Sequence, residues 1–202
     1  MFETLHEQIR TRLEKLLPGQ VVVISDFDDI AEPKTVSKIL QRLCDSELVH
    51  KLTRGMFWKK APQKEAPSVK ELAGGIARQN GWHIVPTGET ALYVVGLSDE
   101  EPEEWAFISD GTNRNYSFGE TVLTFRHAAA RYVNSLSEKT AALIQALKSL
   151  GQNAISPEQL LDAIKRRFDR ADFAKLAEEA KKAPAWIASL LIAVCSLYEN
   201  LL

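Results

Sequence analysis

The sequence has few of the residues that build disulfide frameworks, metal centres or membrane spans. It contains two cysteines and four histidines in 202 residues, and the histidines are scattered without the spacing of a zinc site. No apolar run approaches the roughly 20 residues needed to cross a bilayer. The N-terminal segment is charged and lacks the apolar core of a signal peptide. These absences argue against a structural metal, a membrane protein and a secreted scaffold, and they predict a cytoplasmic protein without a cofactor.

A glycine-rich phosphate loop is also absent, and the net charge is close to zero. Gly74 and Gly75 adjoin inside a helical pattern, where paired glycines indicate close packing and not a nucleotide loop. The formal charge of -2 and the pI near 6.1 argue against a protein that is basic over its whole surface. A nucleic-acid site in this chain must therefore be a local patch.

The charge is distributed unevenly, and residues 33–60 are basic. This segment contains seven Lys or Arg residues and two acidic residues, a net charge of +5. Within it Val36, Ile39, Leu40 and Leu43 follow the spacing of an apolar stripe on one helix. The opposite face of this helix is rich in hydrogen-bond donors: Lys34, Thr35, Ser37, Lys38, Gln41 and Arg42.

Two short strands around a glycine turn follow this helix. The segments LVHKL and MFWKK flank Thr53-Arg54-Gly55, which predicts a β-hairpin. A helix with one apolar and one basic face, followed by a basic hairpin, is typical of a winged helix-turn-helix. Such a module sets its second helix in the major groove of DNA and its wing against phosphates.

The predicted contacts with DNA fall into two groups. Side chains on the helix should reach the groove, and Gln41 and Arg42 can read base edges bidentately. Side chains on the hairpin should bind phosphate without reading sequence. A solvated helix beside an ordinary basic hairpin is the alternative interpretation. The groove residues are Thr35, Ser37, Lys38, Gln41 and Arg42, and the phosphate-binding residues are Lys51, Arg54, Lys59 and Lys60.

The chain as a whole is expected to be an α+β protein of two domains. We predict a winged helix-turn-helix over residues 1–60, a linker over 61–68, and a mixed α/β domain with a helical C-terminal end over 69–202. The linker segment APQKEAPS contains two prolines and no apolar periodicity.

Individual elements follow from periodicity and capping residues. In the first domain a helix over 2–17 precedes a strand at 20–24, and Ser25 is the expected N-cap of a short helix over 26–31. The second domain is predicted to start with a helix over 69–80. Strand-like segments follow, of which ALYVVGL fits either a helix or a strand, and four helices occupy the chain from about residue 137.

The segment VVVISDFDDI offers a competing, enzymatic interpretation. A strand followed by Asp26 and Asp28 resembles the first motif of haloacid-dehalogenase-like phosphatases. In that motif the first Asp is the nucleophile and the second a general acid beside Mg²⁺. The early hairpin replaces the long βαβ alternation that such a fold needs. Acidic residues also favour a helix start, so we expect a protein that is not an enzyme.

A second basic run lies towards the C-terminus. Lys165, Arg166 and Arg167 are consecutive, and Arg170 and Lys175 follow within ten residues. The run allows a second nucleic-acid patch, but charge runs more often form the solvated side of a helix. We favour the solvated helix.

Over most of its length the chain resembles the AbiEi family of antitoxins. The two best anchors are LTRGMFW at residues 52–58 and PTGETALYVVGLS at residues 86–98, and the helical end after Ile155 matches least. Members of this family are bacterial proteins encoded beside a nucleotidyltransferase-like toxin of abortive phage infection. One departure is Ser46-Glu47, where related sequences often carry a glycine.

The resemblance implies a transcriptional regulator that binds the operator DNA of its own operon through the winged helix. It also implies a C-terminal domain that counters the toxin without direct binding, as in a type IV toxin–antitoxin system. Whether the protein is a homodimer stays open. The main alternative from another class is a protein-interaction module whose winged helix docks a partner and never touches DNA.

Overall fold

The structure, a computed structural model, describes residues 3–59, 61, 66–130 and 133–201. Across these residues the chain forms eight α-helices and two small sheets, so the predicted α+β class is confirmed. The chain divides into two units, Met1–Trp82 and His83–Leu202. Each unit contains a hydrophobic core of its own.

Helix α1 (Leu5–Lys15) begins at a capping box. The Thr4 hydroxyl accepts a hydrogen bond from the Glu7 amide at 3.2 Å, and the Glu7 carboxylate accepts one from the Thr4 amide at 2.8 Å. Both bonds satisfy amides that a helix start leaves without partners. The predicted first residue of the helix, Phe2, lies outside the described residues. The fully buried side chains of α1 are Ile9 and Leu13.

Strand β1 (Val21–Val23) runs directly into a 3₁₀ helix (Ile24–Phe27), so the short helix begins earlier than predicted. The expectation that Ser25 caps it is wrong. The Asp26 carboxylate accepts a hydrogen bond from the Val23 amide at 2.9 Å, whereas the Ser25 hydroxyl donates to a backbone carbonyl of a later helix at 3.2 Å. Asp26 caps the helix because a carboxylate three residues on can reach back to the free amide.

The helix and the hairpin predicted in the basic segment are confirmed. Helix α2 spans Pro33–Asp45, strand β2 spans His50–Thr53 and strand β3 spans Met56–Trp58. Strand β3 pairs antiparallel with both β1 and β2, which gives the sheet order β1-β3-β2. Arg54 and Gly55 connect β2 and β3, and Gly55 has the left-handed φ of +81° that a tight hairpin requires.

Helix α3 (Val69–Asn80) belongs to the first unit and not, as predicted, to the second domain. It packs against β1, β3 and the 3₁₀ helix. Gly75 permits this close approach, because a Cβ there would lie 2.6 Å from Val21 Cγ1 and 3.0 Å from Met56 Cε. A proline-rich segment marks a break in periodic structure, but it does not determine which unit the next helix joins.

We expect Gly75→Ala to lower the free energy of unfolding by about 1–3 kcal/mol, because the new methyl group overpacks against Val21. Gly74→Ala is the matched control. Its Cβ would meet Arg78 Nη1 at 3.7 Å, an ordinary contact, and alanine should stabilise the helix by about 0.5–1 kcal/mol. Urea denaturation measures both changes. Equal effects of the two substitutions would contradict close packing at Gly75.

The sheet of the second unit has four strands in the order β4-β5-β7-β6. Strands β5 and β7 are parallel, and the other two pairs are antiparallel. The segment ALYVVGL, which fitted a helix or a strand, lies largely in helix α4 (Gly88–Val95). The strands are β4 (Ile84–Pro86), β5 (Trp105–Ser109), β6 (Arg114–Phe118) and β7 (Thr121–His127).

The four helices predicted at the C-terminal end are confirmed. They form most of the second unit's core together with α4. Cys195 is buried there, and burial raises the pKa of its thiol to about 11, so it acts as a small apolar side chain. The helices are α5 (Glu138–Leu150), α6 (Pro157–Ile164), α7 (Arg170–Glu179) and α8 (Ala185–Glu199). In the described part of the chain no helix is long and apolar enough to cross a membrane.

Candidate nucleic-acid interface

The polar face of α2 presents the predicted groove residues to solvent. Thr35, Lys38, Gln41 and Arg42 are exposed, and Ser37 is half-buried at the edge of this face. At about 100° per residue, the five positions share one side of the helix. Among the described residues, none of the five side chains forms a hydrogen bond or an ion pair. Their donors and acceptors are therefore available to a ligand.

Burial of the opposite face determines which way the polar face of α2 points. Val36 and Leu40 have no exposed surface, and Ile39 and Leu43 retain 7% and 3%. These four side chains share one core with buried residues of α1, β1 and the 3₁₀ helix. Rotating α2 about its axis would expose this stripe, which costs roughly 1.5–3 kcal/mol for each large side chain.

The end of α2 is closed by a Schellman motif with a glutamate at its left-handed position. The Glu47 amide donates to the Cys44 carbonyl at 3.0 Å, and the Leu48 amide donates to the Leu43 carbonyl at 3.2 Å. Glu47 has a φ of 58°, a conformation that costs a residue other than glycine about 1–2 kcal/mol. The chain thus turns towards β2 with a glutamate, and not a glycine, in the left-handed conformation.

The hairpin presents two further basic side chains. Lys51 on β2 and Arg54 at the tip are exposed, and within the described residues neither side chain forms an ion pair or a hydrogen bond. The register between β2 and β3 shifts between Lys51 and Thr53, which is the pattern of a β-bulge. His50 is half-buried, with its ring centroid 6.3 Å from that of Trp58, so it packs against an aromatic ring.

Lys59, predicted to bind phosphate, is used inside the first unit instead. Its Nζ donates to the carbonyls of Leu13, Glu14 and Leu16 at 2.9, 2.8 and 2.8 Å. Three bonds occupy all three ammonium donors. The carbonyls at a helix C-terminus lack intrahelical partners and carry partial negative charge, so Lys59 closes the end of α1. Lys60 lies outside the described residues.

We expect Lys59→Met to lower the free energy of unfolding by about 1–3 kcal/mol, since it removes charge-assisted hydrogen bonds and keeps the apolar stem. Thermal or urea unfolding measures the loss. Because the ammonium is already occupied, the salt dependence of DNA binding should not change. A shallower slope of log K against log salt in a folded variant would show that Lys59 binds phosphate after all.

Most of the chain matches one described family. Residues 8–173 match DUF6088, which is described as a family of unknown function. The chain belongs to the DUF6088 family. The matched region runs from α1 into α7, so α2, the hairpin and α3 all lie within it. No curated protein matches this chain.

Two of the three acidic residues at positions 26–29 form ion pairs. Asp26 accepts a hydrogen bond from Arg78 Nε at 3.0 Å. Both carboxylate oxygens of Asp29 bind the Arg12 guanidinium at 2.6 Å, and this pairing holds the pKa of Asp29 below its usual range. Asp28 is exposed. The strand before these acids pairs antiparallel at a sheet edge, unlike the parallel strands of the phosphatase fold.

The second basic run separates into residues with structural contacts and residues that face solvent. Arg167 donates to the carbonyls of Tyr93 and Val94 at 2.6 and 3.0 Å, which closes the end of α4. Lys165 pairs with Asp162 at 2.6 Å. The exposed members without a side-chain partner among the described residues are Arg166, Arg170 and Lys175.

Two residues of α3 that were not predicted as important bind carbonyl groups on other elements of the first unit. Arg78 donates to the carbonyl of Val21 at 2.7 Å in addition to its pairing with Asp26. Gln79 Nε2 donates to the carbonyl of Arg54 at 3.1 Å. Polar residues near a helix end are usually solvated, so the sequence contained no signal for either contact.

Proposed function

We propose that this protein is a DNA-binding transcriptional regulator that acts as the antitoxin of a type IV abortive-infection system and represses its own operon. The observation that carries the proposal is the exposed face of α2, where polar and basic side chains have no partner among the described residues. Groups that can form several hydrogen bonds and that the fold leaves unused suit a ligand rich in acceptors, such as DNA.

The order of elements in the first unit supports a winged helix-turn-helix. Helix α1, strand β1, the 3₁₀ helix, α2 and the β2–β3 hairpin follow one another, and the sheet order is β1-β3-β2. In this interpretation the 3₁₀ helix is the short first helix of the motif, α2 is the recognition helix and the hairpin is the wing.

The charges near α2 favour contact with DNA through the middle of the helix. Glu32 at the N-cap and Asp45 at the last position are exposed, and carboxylates repel phosphate. Lys38, Gln41 and Arg42 lie between them. We therefore propose that these three side chains lie deepest in the groove and that Thr35 and Ser37 lie nearer its edge.

The hairpin supplies the proposed phosphate contacts. Lys51 and Arg54 remain in this role, and Lys60 stays a prediction. Lys59 has no phosphate-binding role in this proposal, because its ammonium binds carbonyl groups at the end of α1. Phosphate contacts position a protein on DNA, and base contacts specify the sequence, so specificity should reside in α2.

The antitoxin role rests on the resemblance to AbiEi proteins. One anchor of that resemblance, residues 52–58, coincides with the β2–β3 hairpin, and the other, residues 86–98, contains α4. The proposed functional partner is a nucleotidyltransferase-like toxin that the protein counters without direct binding. Co-expression with the toxin encoded beside it tests this role. Restored growth without co-purification supports the proposal, and unchanged toxicity contradicts it.

A salt titration separates DNA binding from a protein-docking role. The full chain is mixed with labelled duplex from upstream of its own gene and with a random duplex of equal length, from 50 to 200 mM salt. Affinity that falls steeply with salt supports the regulator. Absence of binding at the lowest salt favours the alternative, a winged helix that docks a protein.

We expect Arg42→Ala to weaken binding to the specific operator by about 1–3 kcal/mol and binding to random DNA by much less, because a bidentate contact with a base edge is lost. Fluorescence anisotropy with both duplexes measures the difference. Arg42 is exposed and has no side-chain partner among the described residues, so the fold should be unaffected. Equal losses on both duplexes would mean that Arg42 contacts backbone alone.

Arg54→Ala should weaken binding to operator and random DNA alike and make the slope of log K against log salt shallower by about one, since one phosphate contact is lost. Arg166→Ala is the control: this exposed arginine lies in the second unit, and its removal should leave the slope unchanged. An unchanged slope for folded Arg54→Ala would show that the hairpin does not touch DNA.

A further inference from the structure

Two hydrogen bonds hold the tip of the β2–β3 hairpin on the body of the first unit. Gln79 Nε2 on α3 donates to the carbonyl of Arg54 at 3.1 Å. The amide of Ile24, at the start of the 3₁₀ helix, donates to the carbonyl of Gly55 at 3.3 Å. Both residues of the two-residue loop therefore have their carbonyl groups bound by segments outside the hairpin.

Gly55 provides the space for the contact with Gln79. A Cβ at Gly55 would lie 2.8 Å from Gln79 Nε2 and 3.5 Å from Ile24 Cδ1. The residue also has a φ of +81°, which side chains other than glycine rarely tolerate. One glycine thus serves both the tight turn and the close approach of α3 to the hairpin tip.

Gln79 lies on α3, and hydrogen bonds of the neighbouring Arg78 fix this helix to other elements of the first unit. Arg78 binds the carbonyl of Val21 at 2.7 Å and the Asp26 carboxylate at 3.0 Å. The Ser25 hydroxyl donates to the Arg78 carbonyl at 3.2 Å. The turn of α3 that carries Gln79 is therefore fixed to β1 and the 3₁₀ helix.

The Arg54 side chain is exposed to solvent, although the backbone of the same residue is held by a hydrogen bond. The side chain is exposed and unpartnered within the described residues, whereas the carbonyl of the same residue is bound. A side chain on an ordered peptide loses less conformational freedom when it binds a ligand than one on a mobile loop does. Such preorganisation strengthens binding without adding a contact to the ligand.

We infer that Gln79 is a positioning residue for the hairpin: it orders the Arg54 peptide so that the arginine is presented to a DNA phosphate. This inference rests on the proposed function. Gln79 itself makes no contact with DNA in this arrangement. It acts through Arg54. In this proposal α3 therefore contributes to DNA binding by positioning the hairpin.

The test uses the full chain and the variant Gln79→Met, which keeps the length of the side chain and removes the donor. Gln152→Met is the matched control, because Gln152 is an exposed glutamine of the second unit. In Gln79→Met the backbone order parameters of Arg54 and Gly55 should fall from about 0.85 to below about 0.6. Affinity for operator and random DNA should fall about threefold to tenfold, which is the cost of ordering one side chain on binding.

A double-mutant cycle with Arg54→Ala distinguishes positioning from a general loss of stability. If Gln79 acts through Arg54, the double variant binds DNA no more weakly than Arg54→Ala alone. Additive losses would mean that Gln79 acts by another route and would overturn the inference. Unchanged order parameters in Gln79→Met would overturn it as well.

The outcomes separate the inference from the function on which it rests. If the wild-type protein binds neither duplex, the proposed function is wrong, and so is the role of Gln79 in DNA binding. Wild-type binding that weakens steeply as salt increases supports the function, and unchanged binding by Gln79→Met would then overturn the inference alone. Reduced order at the tip, weaker binding and a non-additive cycle together support it.

Discussion

Burial of one apolar stripe on α2 is the constraint on which the candidate interface depends. Val36 and Leu40 have no exposed surface, and their burial holds the helix at one rotation about its axis. The same rotation turns Lys38, Gln41 and Arg42 outward as a group. A polar face that the core orients in this way is available to a ligand without rearrangement, and this limits the entropy lost on binding.

The basic residues of the chain divide according to what lies near them. Lys59 and Arg167 each bind carbonyl groups at the end of a helix, and Arg12 and Arg78 pair with aspartates. These four cations stabilise the fold. The cations on α2 and on the hairpin have no such partner among the described residues. A count of basic residues therefore overestimates how many side chains can bind a ligand. The number of accessible hydrogen-bond donors is a better measure.

Division of the chain into two units is compatible with the two proposed tasks, DNA binding and antitoxin action. The proposed contacts with DNA all lie in the first unit, and the sheet of the second unit with its helices has a core of its own. If both proposals hold, substitutions in different units should remove DNA binding and antitoxin action separately. Such a separation would also distinguish repression of the operon from the countering of a toxin.

The helices and strands could be predicted from the sequence because their signals are local. The spacing of Val36 and Leu40 predicts α2, and the glycine at 55 predicts the hairpin, since periodicity and turn chemistry act over a few residues. The same local signals left α4 undecided between helix and strand, and they selected Ser25 where Asp26 forms the cap.

Only the tertiary structure decided how residues distant in the sequence are used. It grouped α3 with the first unit through Gly75, bound Lys59 to carbonyls more than forty residues earlier, and brought Gln79 to the carbonyl of Arg54. Each of these contacts joins a side chain to a group on another element. A residue type specifies which hydrogen bonds a side chain can form, but packing of the chain decides which partner comes within reach.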